Sequence, residues 1–140
     1  MDYRFEENAE QLLKKLEKKG KDLKQSFKPA LSKVALLGIN LIEDRTEKGT
    51  GYKGGKFKRY SENYAKFRRK KGRGKKVDLQ FSGRMLGSMT SKADSRKATI
   101  FFTRGEEAKK AAFNDKTRPF FGFNRKDKKR LAKRFIESLE

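Results

Sequence analysis

The sequence predicts an α+β fold: a small antiparallel sheet packed by two to three amphipathic helices, with an N-terminal helix and a long basic loop. Apolar residues recur at helical spacing over 29–47 and again over 124–139, a β-branched and aromatic run stands at 98–103, and glycines and cations crowd residues 49–77. At 140 residues the chain has room for one core and some extensions. It therefore divides into an N-terminal helical arm over 1–24 and a single domain over 25–140 that carries the basic loop. Apolar types make up only 34% of the chain, so the 12 Phe must anchor much of that core.

From Asp2 to about Lys24, Phe5, Ala9, Leu12, Leu13 and Leu16 form one thin helical stripe that suits a surface arm. Pro29 fits the first turn of a second helix with Ser26 as its cap. In that helix Leu31, Val34, Ala35, Leu37, Gly38, Leu41 and Ile42 cover more than one face, which marks it as the central core helix. The glycines from Gly49 to Gly55 end it in a flexible loop. Ser61 caps a short helix from Glu62 to about Lys70, with Tyr64, Ala65 and Phe67 partly buried, and Lys70–Lys76 reads as mobile chain. A turn at Ser82–Leu86 leads into a strand over 88–93. Asp94-Ser95-Arg96 turns the chain into the strand at 98–103. Residues 106–114 return to helix, and Pro119 forces Arg118–Phe123 into an extended core anchor. Asn124 then caps a last helix with Leu131, Phe135, Ile136 and Leu139 on one face and cations on the other. The helices at 29–47 and 124–139 are expected to pack on the sheet.

Charge restricts what the chain can do. Thirty-nine Lys plus Arg against 18 Asp plus Glu leave a formal +21. Neither Cys nor His occurs, which excludes disulfides, thiolate or imidazole metal ligands, a His-based triad and a Cys nucleophile. Carboxylate pairs such as Asp44 with Glu47 and Glu106 with Glu107 sit among Lys and Arg and read as salt-bridged surface; neither a metal nor a cofactor is expected, and no enzymatic role. The longest apolar stretch, Val34–Ile42, is far short of the ~20 residues of a membrane helix, and Met1–Glu7 has no apolar signal region, so a soluble cytosolic chain without membrane contact is expected.

Residues 53–76 hold twelve Lys or Arg and one acidic residue, Glu62. The cations are Lys53, Lys56, Lys58, Arg59, Lys66, Arg68, Arg69, Lys70, Lys71, Arg73, Lys75 and Lys76. They repel one another, so an anionic partner, DNA or an acidic protein surface, is expected beside them. Interleaved Tyr60, Tyr64 and Phe67 offer rings for stacking, which makes a sequence-nonspecific nucleic-acid module over residues 51–76 one reading. Gly49-Thr50-Gly51-Tyr52-Lys53-Gly54 spells G-x-G-x-x-G, but a helix precedes it where a dinucleotide fold has a strand.

The order of the pieces carries a second reading. Arg45-Thr46 before the glycine loop, Tyr60-Ser61-x-x-Tyr64, Lys70-Lys71-Gly72, Asp78-Leu79, Ser82-Gly83-Arg84-Met85-Leu86-x-Ser88 and Arg118-Pro119-Phe120-Phe121-Gly122 stand in series. This series resembles the Mu-like virion morphogenesis and tail-completion proteins of tailed bacteriophages, with their R-T-x-x-G loop, S-x-x-Y segment, T-G-x-L-x-x-S turn and R-P-F element. The resemblance covers about residues 40–135. Ser82 stands where the family often has Thr, and residues 106–114 are more charged than usual. The resemblance implies a non-enzymatic head-tail joining subunit of the phage neck or head-proximal tail end. It implies a homo-oligomeric ring, six-fold, that meets connector, tail terminator or tail tube and encloses DNA through nonspecific charge. It also implies residence in the virion and, during assembly, in host cytoplasm. Arg45, Thr46, Tyr60, Tyr64, Ser82, Gly83, Leu86, Arg118, Pro119, Phe120 and Phe121 would serve structure and assembly.

Overall fold

A computed structural model describes residues 2–4, 13, 25–80 and 82–139. The sheet forms around the most β-prone run in the chain, β3 (Ala98–Phe102), which lies between β1 (Tyr3–Arg4) and β2 (Met89–Ala93) and is antiparallel to both. Met89 faces Phe102 and Ala93 faces Ala98 in the β2–β3 ladder, while Tyr3 faces Ile100 in the other. Asp94 fixes the hairpin turn by accepting from the Arg96 and Lys97 amides at 2.7 and 2.9 Å. Those bonds, with the nearby cationic charges, hold its carboxyl below the ordinary aspartate value.

Helix α1 (Phe27–Glu47) occupies the centre because it is apolar on two flanks. One flank covers β2 and β3; along the other runs α5 (Arg125–Leu139). Phe27, Leu31, Val34, Ala35 and Ile42 of α1 are buried with Ile100 and Phe102 of β3 and with Leu131 and Phe135 of α5. The Phe27 and Phe135 rings meet at 5.7 Å between centroids. Three short helices complete the described chain: α2 (Glu62–Lys70), α3 (Arg84–Gly87) and α4 (Gly105–Thr117), the last packed on α3 and β3. Among the described residues no helix is long and apolar enough to cross a membrane.

An α+β fold with a small antiparallel sheet and amphipathic helices is what the sequence predicts, with several local differences. Helix α5 packs chiefly along α1 instead of on the sheet, because the second apolar flank of α1 is the surface it can bury against. Ile136 is exposed, one position beyond the stripe that Leu131 and Phe135 define. Ser26 already has helical backbone angles and its hydroxyl bonds no amide, so it does not cap α1. Ser61 does cap α2, accepting from the Tyr64 amide at 3.2 Å. Tyr3–Arg4 pairs as a strand where the arm helix was expected to begin; Leu13 is helical, and the rest of the arm lies outside the described residues.

Candidate functional site

The motif residues converge on one clamp. The Arg45 guanidinium, in the last turn of α1, donates from Nη1 to Asp127 Oδ2 at 2.7 Å and from Nη2 to the Phe120 and Gly122 carbonyls at 3.0 and 2.6 Å. Its side chain and that of Asp127 keep only 12% and 13% of their exposure. Burial lowers the Arg45 pKa, and the Asp127 charge and hydrogen bond work against that shift. Asp127 is placed by its own helix start: Asn124 Oδ1 accepts from the Asp127 amide at 2.8 Å, and Asp127 Oδ2 accepts in return from the Asn124 amide at 3.3 Å. That reciprocal pair is a capping box. Beside Arg45, Thr46 is fully buried, and its hydroxyl has no hydrogen-bond partner.

The glycine-rich loop is a tight turn docked on this clamp, where flexible chain was expected. Thr50 and Lys56 form a β-bridge, the Gly51 amide donates to the Gly55 carbonyl at 2.9 Å, and the Tyr52 amide donates to Pro119 at 3.2 Å. Gly54 donates to Gly51. The amides that a pyrophosphate would need are therefore engaged in the protein's own turn, which removes the dinucleotide reading of G-x-G-x-x-G. A side chain at Gly51 would lie 2.6 Å from the Pro119 oxygen, and one at Gly122 would lie 2.6 Å from the Tyr52 ring. Only glycine permits either approach.

The extended segment closes the clamp. Phe120, Phe121 and Phe123 are buried, and Asp115 Oδ1 accepts from the Phe120 and Phe121 amides at 3.2 and 3.0 Å. Arg118 reaches the other way, donating to the Lys58 and Arg59 carbonyls at 2.7 and 3.0 Å and lying 4.9 Å from the Tyr60 ring centroid. This fastens the start of the cationic segment. Phe57, buried just before it, adds an apolar anchor.

The far end of that segment is fastened by Arg68, which corrects one expectation. Arg68 is 2% exposed and cannot meet an outside partner. Its Nη1 donates to the Gln80 carbonyl at 2.8 Å, its Nη2 pairs with Asp78 at 3.3 Å, and the guanidinium lies 4.8 Å from the Tyr60 ring centroid. Tyr60 is thus flanked by two arginines, and its hydroxyl accepts from the Leu79 amide at 3.1 Å. Burial raises the Tyr60 pKa, with Arg68 and the Leu79 bond opposing the shift. Leu79 is held in the left-handed region at φ 58°, a strained geometry for a branched side chain, with Asp78 bonding the Gln80 amide beside it. Ser82 and Gly83 open α3, where Gly83 takes φ 78°, and Leu86 is core. Tyr64 is exposed; its ring meets Tyr60 edge-on at 4.9 Å.

The other eleven cations, Lys53, Lys56, Lys58, Arg59, Lys66, Arg69, Lys70, Lys71, Arg73, Lys75 and Lys76, are exposed. A second cationic face was missed as a contact surface. On α5, Arg125, Lys126, Lys128, Lys129, Arg130, Lys133 and Arg134 are exposed, and the acid among them, Asp127, is turned inward to Arg45. A lone acid inside a run of cations, three residues after an Asn cap, was the available signal for Asp127. Tyr52, Asp115 and Gly122 carried no comparable signal, because their partners are distant in sequence. Glu107 also departs from expectation: it is buried, not salt-bridged surface, although Lys110 reaches its Oε1 at 3.3 Å. Comparison of the chain with protein-family models, with curated proteins and with solved structures finds no match.

Proposed function

We propose that the chain is a structural assembly subunit of a phage neck or head-proximal tail end, a tail-completion or head-tail joining protein that forms a ring around DNA and meets it through charge alone. One observation carries the reading. The residues behind the resemblance to the virion morphogenesis family are joined into a scaffold, Arg45 to Phe120, Gly122 and Asp127, and Arg118 to Lys58 and Arg59. A scaffold that fastens both ends of a cationic segment while leaving eleven of its cations to solvent suits a subunit that lines a channel. Lumen-facing cations lower the potential of a confined phosphate column without reading its sequence. Connector, tail terminator and tail tube are the partners this role implies.

A second reading, a free-standing nonspecific nucleic-acid-binding module using residues 51–76, is favoured by the same exposed cations and by the rings among them. Size-exclusion chromatography with light scattering, with and without duplex DNA, separates the two. Closed rings, alone or with a neck partner, support the assembly role. A monomer at all concentrations that binds DNA tightly with a steep salt dependence supports the module and refutes the ring.

A further inference from the structure

Between α2 and α4 lies an open groove of about 600 Å³, in the ~300–1,000 Å³ range of small-molecule sites. Its lining includes Tyr60, Tyr64, Phe67, Leu79, Met85 and Phe113. Phe113 is 75% exposed and Phe67 46%, so these rings form a patch open to solvent. Each has cations within one helical turn: Lys70 and Lys71 beside Phe67 on α2, Lys109 and Lys110 beside Phe113 on α4. Tyr64 and Phe67 stand nearly parallel, 6.3 Å apart and 25° between planes.

We propose that this groove seats unpaired bases of a single-stranded nucleic acid. Rings that present their faces between cations are what a stacked base and its flanking phosphates require, and stacking tolerates any base. Charge complementarity favours that occupant over a segment of protein, since the groove walls and rim carry Arg84, Lys110, Lys70 and Lys71 against the single carboxylate of Glu107. Glu107 supplies a second pointer. It lines the groove at 3% exposure, and its Oε2 has no hydrogen-bond partner among the described residues. The exocyclic amine of cytosine is the kind of donor such an oxygen accepts. Thymine has no such amine. The inference rests on the anionic-polymer contact of residues 53–76 and not on the ring.

The test is fluorescence anisotropy of the full chain with labelled dC20, dT20 and a 20-bp duplex at fixed salt, for the wild type, Phe67→Ala, Phe113→Ala and Glu107→Gln. Both phenylalanines are exposed, so the alanine variants keep the fold. Each is expected to weaken single-strand binding by about tenfold and to leave duplex binding within about twofold, because the phosphate contacts remain. Glu107→Gln is expected to reduce the preference for dC20 over dT20. Equal losses on single strand and duplex, or no loss on either, overturn the groove while leaving the charge contact standing. Absence of wild-type binding to any of the three probes overturns both. Loss of self-association in Phe113→Ala with unchanged single-strand binding identifies the groove as a seat for a second copy, and the proposal fails.

Discussion

Arg45 satisfies two backbone carbonyls and one carboxylate in a site with little water, so truncating it leaves three acceptors without donors. Breaking a buried ion pair from one side costs about 3–5 kcal/mol. Arg45→Ala is therefore expected to lower the melting temperature sharply, and Arg45→Lys to recover only part of the loss, since an ammonium lacks the planar fork that spans Asp127, Phe120 and Gly122. Full recovery by lysine would show that charge alone matters there. Glu43 offers a pH-dependent case. Burial, with Glu47 and Asp44 adding like charge, raises its pKa above the ordinary glutamate value. A group whose pKa is higher folded than unfolded stabilises most below its unfolded value, and that stability is lost as pH rises through the folded value. Glu43→Gln should then be more stable than the wild type at neutral pH, with the difference vanishing below about pH 4.5. A constant difference from pH 3 to 8 in thermal melts would contradict this assignment of the strain.

At the scale of the elements, a residue's neighbours decide what its substitution does. Phe135 and Ile136 are adjacent on α5, yet Phe135 packs on Phe27 and Ile136 meets solvent. Phe135→Ala should cost about 3–5 kcal/mol, whereas Ile136→Ala should stay within about 0.5 kcal/mol. Comparable losses in chemical denaturation would mean that Ile136 is covered in the working assembly. The same contrast shows what could be read from the sequence. Periodicity revealed that 124–139 hides one face and that 29–47 hides two, and the β-branched run revealed β3. Periodicity does not say which surface covers a face, so the partner of α5 was misread. The cationic segment was legible as charge, but nothing local distinguishes Arg68 from Arg69. Its burial depends on Asp78, Gln80 and two tyrosine rings brought together by the fold. The glycine loop was taken as flexible for a similar reason, since the oxygen that fixes the Tyr52 amide belongs to Pro119. A local pattern reports what a segment needs, and distant residues decide how the need is met.

For the whole molecule, the excess of 39 cations over 18 acids sets a response that no single contact predicts. Exposed cations crowd 53–76 and α5, and their mutual repulsion opposes the compact state. The acids that matter most to the fold are withdrawn from this field: Asp127 is bound to Arg45 and Asp78 to Arg68, with the buried partner of each pair shielded from salt. Added salt should therefore screen the repulsion more than it weakens the clamps. The melting temperature is expected to rise by a few degrees as monovalent salt goes from about 20 to about 300 mM, over which the Debye length falls from roughly 20 Å to below 10 Å. A polyanion at low salt should raise it further, because binding to the folded cationic surfaces adds to the screening. Replacing Lys70, Lys71, Lys75 and Lys76 with Gln should flatten both responses without unfolding the chain, since these side chains are exposed. A melting temperature that falls with salt would reverse the argument. It would mean that the cations of this segment stabilise the subunit by pairing with acidic groups, and that their charge is already neutralised before any DNA arrives.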